Sequence, residues 1–247
     1  CDFFPVMQAP KEIPAAKDGA PTLAQEFMVR KNDPKAHIEM RVAMCGNVDS
    51  GKSTLTSVLT RGFRDDGRGY ARSFVFNHKH EADTGRTSSI SENHLGFDAT
   101  GGVVNYPSGG PSATIKHTIS AHDMFTKSAK MLTLYDLAGH EKYLKTTVLG
   151  MTRSVPDYAC IVISANNGIQ RMTKEHLGLC LALKLPFFIV VTRIDATPDN
   201  IRQDTMQSIF KLLKLPTVKK LPYPIRKHDD VVVCAKNLKS DRICPIF

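Results

Sequence analysis

An open α/β sheet, mostly parallel and sandwiched by helices, is the fold the sequence predicts for residues 37–247, on three observations. An alternating run, Ile38, Met40, Val42 and Met44, ends in Gly46-Asn47-Val48-Asp49-Ser50-Gly51-Lys52-Ser53-Thr54, and Leu55, Val58 and Leu59 follow at helical spacing. That order is strand, phosphate-binding P-loop, helix. Continuous apolar runs at 157–164 and 187–191 read as parallel strands covered on both faces. Helical patterns separate these strands, the alternation that builds a parallel sheet.

The P-loop needs each of its residue types. Gly46 and Gly51 let the backbone bend so that successive N–H groups ring a phosphate at the positive end of the following helix. Lys52 adds a mobile cation for the β- and γ-phosphates, and Ser53 offers a hydroxyl to Mg²⁺, which prefers oxygen ligands.

Taken in order, residues 1–36 carry Pro5, Pro10, Pro14, Pro21 and Pro34 without sustained periodicity and read as a flexible leader or linker, with a short helix around Thr22 to Val29. The chain opens on Cys1 and not on Met, which suggests a piece of a longer protein. After the first helix comes a polar basic tract, residues 63–86. In nucleotide switches this connection folds over the γ-phosphate and contributes a hydroxyl to the metal, for which Thr87, Ser88 and Ser89 are the candidates. HLGFDA, TGG and VVNY then form a hairpin-like region, followed by PSGGPS and ATIKHTIS, and predict a peripheral antiparallel addition to the sheet.

The strand 131–135 delivers Asp136-Leu137-Ala138-Gly139-His140. Ligands bind at the carboxyl ends of strands in open α/β sheets, so Asp136 can hold a Mg²⁺-bound water and the Gly139 N–H can sense the γ-phosphate. His140, next along, can reach the water that attacks it, and phosphoryl transfer mainly needs that water positioned. A helix then runs from Glu141 and Lys142 through Leu144, Val148 and Leu149. Thr173 resembles the N-cap of a later helix with Glu175 in its first turn. The strand 187–191 ends in Thr192-Arg193-Ile194-Asp195, where Asp195 can accept hydrogen bonds from guanine N1–H and N2–H₂, a donor pair that adenine lacks. Thr197-Pro198 restarts a helix with Pro at its first position. Near the end, VVVCAK (231–236) and ICPIF (243–247) both read as strand pieces.

Composition is that of an ordinary globular chain, 42% hydrophobic and 23% charged. The net charge of +9 points to a polyanionic partner such as RNA. Six cysteines show no C-x-x-C pair or zinc spacing, and Cys45, Cys160 and Cys180 sit in apolar runs, which favours a reducing, cytoplasmic setting. No apolar stretch reaches the roughly 18 residues that span a bilayer, so no membrane role is expected.

The ordered set GNVDSGKST, GRTSS, DLAGHEKYLKTT and TRID resembles the translational GTPases of the elongation factor Tu and elongation factor 1-alpha superfamily. RGYAR, HKHE, GRTSSIS, LGFD, GMT, MTKEHLGL and CPIF look like its GTP-binding protein 1 and GTP-binding protein 2 branch. The resemblance covers residues 37–247 and implies a P-loop NTPase G domain that hydrolyses GTP to GDP and phosphate as a Mg²⁺-dependent switch, in translation or in ribosome- or RNA-linked quality control. It implies that Lys52 and the amides of the P-loop, Gly46 to Thr54, hold the phosphates, that Ser53 and Thr87 ligate Mg²⁺ with Asp136 acting through water, and that His140 orients the hydrolytic water. Asp49 would help bind a monovalent cation, Val48 would form part of a hydrophobic gate, and Thr192, Arg193 and Asp195 would make the guanine pocket.

Three residues depart from the elongation factors: Thr192 replaces the Asn of N-K-x-D, Arg193 replaces its Lys, and Arg86 stands where those factors carry an apolar gate residue. Cys234-Ala235-Lys236 mimics the S-A-K of the fifth motif, but in the family a segment like CPIF precedes that loop, so the motif and any β-barrel domains are expected beyond Phe247, with ribosome, tRNA or other RNA as partners. Two alternatives stand beside GTP hydrolysis: a nucleotide-dependent binding module with negligible turnover, and an ATP-specific P-loop protein.

Overall fold

The computed structural model describes residues 38–105, 119–238 and 242–247, together with four short strands among the first 36 residues. The chain divides into two compact units, Cys1–Ala36 and His37–Phe247. In the first, β1 (Asp2–Pro5) pairs antiparallel with β4 (Phe27–Arg30), and β2 (Lys11–Ile13) with β3 (Thr22–Ala24). The helix expected around Thr22 to Val29 is therefore replaced by two strands. Thr22, Phe27 and Val29 are residue types that favour extended backbone.

The second unit alternates strands and helices. It runs β5 (Ile38–Gly46), α1 (Lys52–Arg61), a 3₁₀ turn (Ala71–Phe74), α2 (Lys79–Thr84), β6 (Ser91–Phe97), α3 (Ala121–Lys127) and β7 (Lys130–Asp136). A second 3₁₀ turn (Glu141–Tyr143), α4 (Leu144–Ser154), β8 (Tyr158–Ser164), α5 (Arg171–Ala182) and β9 (Phe187–Thr192) follow. The unit ends with α6 (Asp199–Leu213), β10 (Leu221–Pro224), α7 (His228–Asn237) and β11 (Ile243–Ile246).

Seven strands form one sheet in the order β10-β11-β9-β8-β5-β7-β6, with every pair parallel except β6 against β7. This is the fold class the sequence predicts, with β6 as the antiparallel addition. Phe97 bridges back to Val103, while Tyr106, PSGGPS and most of ATIKHTIS lie outside the described residues.

Strand alternation divides the core. Ala43, Cys45, Ala159, Ile161 and Ile163 face one side with Met151 of α4, Leu177 and Cys180 of α5, and Ile209 of α6. Val42, Met44, Cys160 and Val162 face the other, toward Leu55 of α1. Burial on both faces is why β8 reads as a continuous apolar run. Ile38 and Met40, at the start of the β5 alternation, are exposed, so only the half of that strand nearest the P-loop is core. The five described cysteines are buried, and no helix among the described residues is long and apolar enough to cross a membrane.

Three local expectations change. Residues 231–236 lie in α7 and not in a strand: Asp230 accepts from the backbone N–H groups of Arg226 and Lys227, both at 2.9 Å, closing a helix start that outweighs three consecutive valines. Cys234 to Lys236 thus form no loop after a strand. Thr173 is buried inside α5, which begins at Arg171 after an extended Gln170, and Glu175 falls beyond the first turn. Pro198 is the residue before α6, one position earlier than expected.

Candidate functional site

Register sets the site. Met44 pairs with Asp136, Gly46 with Val162, and Ser164 with Thr192, so the carboxyl ends of four adjacent parallel strands gather at one edge. Gly46 has φ 137°, and a Cβ there would lie 2.3 Å from the Val162 carbonyl oxygen, so no other residue fits. Ser50 Oγ donates to the Asn47 carbonyl at 2.9 Å, and Lys52 Nζ donates to the same oxygen at 2.7 Å. Lys52 is buried, and desolvation pulls its pKa below the ordinary lysine value while Asp136 opposes the shift. Gly139 packs against this loop, because an added Cβ would meet Lys52 Nζ at 2.5 Å and the Asn47 carbonyl carbon at 2.7 Å.

Beneath the loop lies a residue to which sequence reasoning gave no role. His176 of α5 is fully buried, and its Nδ1 accepts the Gly46 N–H at 2.9 Å. Burial, then Lys52, holds its pKa down to about 4, so the ring is neutral with its proton on Nε2. The only trace of His176 in the sequence is its place within MTKEHLGL.

The three expected metal ligands converge. Ser53 Oγ lies 2.5 Å from Asp136 Oδ2 and 2.8 Å from Thr87 Oγ1, and Thr87 Oγ1 donates to the same carboxylate oxygen at 3.3 Å. Asp136 is fully buried and its Oδ1 has no partner among the described residues. Desolvation raises its pKa above the ordinary carboxyl value, countered by Lys52. Among the described residues no three His, Cys, Asp or Glu side chains gather into a metal cage.

Of the three hydroxyl candidates, only Thr87 turns to this cluster. Ser88 and Ser89 turn to Glu81, a buried carboxylate in α2 that sequence reasoning also left without a role. Its Oε1 accepts from Ser88 N (2.6 Å), Ser88 Oγ (2.8 Å), Ser89 N (2.9 Å) and Ser89 Oγ (3.0 Å). Oε2 accepts from Asn77 N (2.9 Å) and His78 N (3.1 Å). Burial alone would raise the pKa of this group, but the Ser88 amide and hydroxyl and the Ser89 and Asn77 amides outweigh it and hold the value at about 2. A permanently ionised carboxylate therefore grips the two residues that follow Thr87.

His140 lines a cleft over the P-loop, the candidate phosphate cleft, with Val48, Asp49, Lys52, Ser53 and Gly139. Its Nδ1 accepts the Lys142 N–H at 3.1 Å, which leaves Nε2 as the other ring nitrogen. Arg86 is exposed at the edge of the same cleft. A second cleft, on the other side of Gly51 and Thr54, is lined by Thr192, Arg193 and Asp195 together with Asp65, Arg68 and Arg72. Arg193 and Asp195 are exposed, and Arg193 has a positive φ of 57°.

The family model described as the elongation factor Tu GTP binding domain matches residues 37–242. The chain belongs to that family. It is 51% identical over 226 residues to GTP-binding protein 1 of Xenopus laevis, covering 90% of this chain and 34% of the relative. Identity to human GTP-binding protein 2 is 46% over 229 residues, covering 92% of this chain and 36% of the relative. The chain thus spans about a third of the length of the curated relatives it matches. A bacterial selenocysteine-specific elongation factor shares the fold, with a TM-score of 0.50 at 16% identity over 85% of this chain and 25% of that one.

Within this elongation factor Tu-type domain, the departure at Thr192 has a geometric account. Thr192 Oγ1 donates to the Ser50 carbonyl at 2.8 Å, tying the end of β9 to the P-loop. A hydroxyl makes this link with one donor.

Proposed function

We propose that the chain binds GTP with Mg²⁺ and hydrolyses it to GDP and phosphate, acting as a nucleotide-dependent switch in translation or in ribosome- or RNA-linked quality control. The observation that carries this reading is the cluster of Ser53, Thr87 and Asp136 beside Lys52, in a chain of the elongation factor Tu GTP-binding domain family. Two hydroxyls and a buried carboxylate with an unpartnered Oδ1 are hard oxygen donors of the kind Mg²⁺ takes, with phosphates and water completing its shell. Ser53 and Thr87 would hold the ion and Asp136 would act through a water. Bound there, Mg²⁺ supplies charge neutralisation on the β- and γ-oxygens.

The protein's own groups do the rest. Lys52 exchanges the Asn47 carbonyl for phosphate oxygens, and the amides of Val48 to Thr54 cradle the phosphate chain. The Gly139 N–H contacts the γ-phosphate. His140, with Nδ1 occupied by the Lys142 amide, turns Nε2 to the hydrolytic water. Asp49 contributes to a monovalent-cation site and Val48 to the gate beside His140, while Thr192, Arg193 and Asp195 read guanine. Ribosome, tRNA or other RNA are the partners that the family and the basic charge support.

His140→Ala tests hydrolysis against the rival reading of a binding module. GTP affinity should stay within about threefold while single-turnover hydrolysis falls roughly a hundredfold. Unchanged hydrolysis removes His140 from this role.

A further inference from the structure

Arg72 belongs to both clefts. It lines the phosphate cleft with Lys52, Thr87, Gly139 and His140, and the second cleft with Thr192 and Asp195. A side chain shared by the γ-phosphate end and the base end stands beside the middle of a bound nucleotide, at the α- and β-phosphates. The chain also makes room for it. An added Cβ on Gly69 would fall 2.5 Å from Arg72 Nε, and one on Gly85 would fall 2.9 Å from Nη2, so the guanidinium lies between two glycines with left-handed φ of 92° and 66°.

Its backbone is fixed from below. Asp65 accepts from the N–H groups of Gly67, Gly69 and Ala71, the last at 2.8 Å, and Asp66 accepts from Arg68 and Tyr70. Phe74 packs edge to face against Phe63 and Tyr70 around the turn. Yet no hydrogen bond or ion pair among the described residues engages the half-buried Arg72 guanidinium. A partly desolvated cation that the fold orients and leaves unpaired is set for an anion. Arg86, the other arginine of the phosphate cleft, is exposed and lines that cleft alone.

We propose that Arg72 is an arginine supplied in cis to the phosphate chain, where it stabilises the charge collecting on the departing GDP; the inference rests on the GTPase reading above. Water oxygen bonds to the γ-phosphorus as the bond from that phosphorus to the β–γ bridging oxygen breaks. The electron pair passes to the β-phosphate of GDP, both water protons leave on inorganic phosphate as H₂PO₄⁻, and Arg72 stays protonated throughout. A cation beside the β-phosphate meets more negative charge in the transition state than before it, which is the condition for lowering the barrier.

The test compares the intact chain with Arg72→Ala, Arg72→Lys and Arg153→Ala in GDP affinity, Mg²⁺-dependent trapping of GDP by aluminium fluoride, and single-turnover hydrolysis. Arg72→Ala should keep GDP affinity within about threefold, lose the trapped complex, and hydrolyse at least about a hundredfold more slowly, since arginines of this kind are worth about 10³–10⁵ in rate. Arg72→Lys should not restore it, because an ammonium lacks the planar fork. Arg153→Ala, at an exposed arginine of α4 that lines neither cleft, should match the unaltered chain. Arg72→Gln, with similar reach and no charge, takes the place of alanine if the latter unfolds. Trapping and hydrolysis within about threefold of the unaltered chain overturn the proposal, as does an equal loss of GDP binding and trapping. An unaltered chain that traps GDP with aluminium fluoride but turns nothing over overturns the GTPase reading, and Arg72 is then judged by trapping alone. One that binds no guanine nucleotide overturns both.

Discussion

Ser53, Thr87 and Asp136 are tied to one another within 3.3 Å at the buried, proposed phosphate half of the site, whereas Arg193 and Asp195 stand exposed at the proposed base half. The phosphate half is determined many times over: Gly46 against Val162, Gly139 against Lys52, and the segment after Thr87 against Glu81. Among the described residues, one side-chain hydrogen bond joins the proposed base half to the P-loop, Thr192 to Ser50. The proposed metal and phosphate groups are thus held in the packed interior, while the proposed base-reading groups lie at the surface.

The largest expected effect lies in the buried half. Glu81→Ala removes the acceptor for six donors and should destabilise the domain by about 3–5 kcal/mol, read by denaturant unfolding. The pH dependence has a definite sign. The Glu81 carboxyl falls from an ordinary value of 4.5 to about 2, so its stabilisation is complete above pH 4.5 and is lost as pH falls from there toward 2. Unfolding followed down that window should show a loss on the order of 3 kcal/mol that Glu81→Gln lacks. A variant as stable as the parent would dissolve the contrast between the halves.

Asp195→Asn probes the exposed half and should leave unfolding unchanged within about 0.5 kcal/mol. It should cost roughly 30- to 100-fold in GTP affinity and shift preference toward xanthosine triphosphate, measured by competition. Competition by excess ATP against the parent chain addresses the ATP-specific alternative in the same assay. The smallest change is expected from Thr192→Val, which deletes one neutral hydrogen bond. A loss of about 1 kcal/mol, or roughly fivefold in nucleotide affinity, would mark that bond as the coupling between the halves. No loss would mean the two halves are independent.

Local pattern made much of this readable. Gly46 to Thr54, Asp136 to His140 and Thr192 to Asp195 each follow an apolar strand, and a parallel sheet brings such strand ends to one edge whatever the loops do. Reading failed where competing local signals were close in strength. Val231 to Val233 carry strand-forming side chains, but Asp230 caps the backbone just upstream and makes the segment helical.

By itself, then, the sequence determined the strands that lead into the P-loop, Asp136 to His140 and Thr192 to Asp195, and the family, because each depends on residue spacing within a short window. Only the tertiary structure decided that Glu81 holds Ser88 and Ser89 away from Ser53 and Asp136, that His176 supports the P-loop, and that Arg72 reaches both clefts. Those choices depend on contacts between segments from 5 to 130 residues apart, such as Lys52 with Asn47 and His176 with Gly46, and burial at the meeting point fixes which polar group must find which partner.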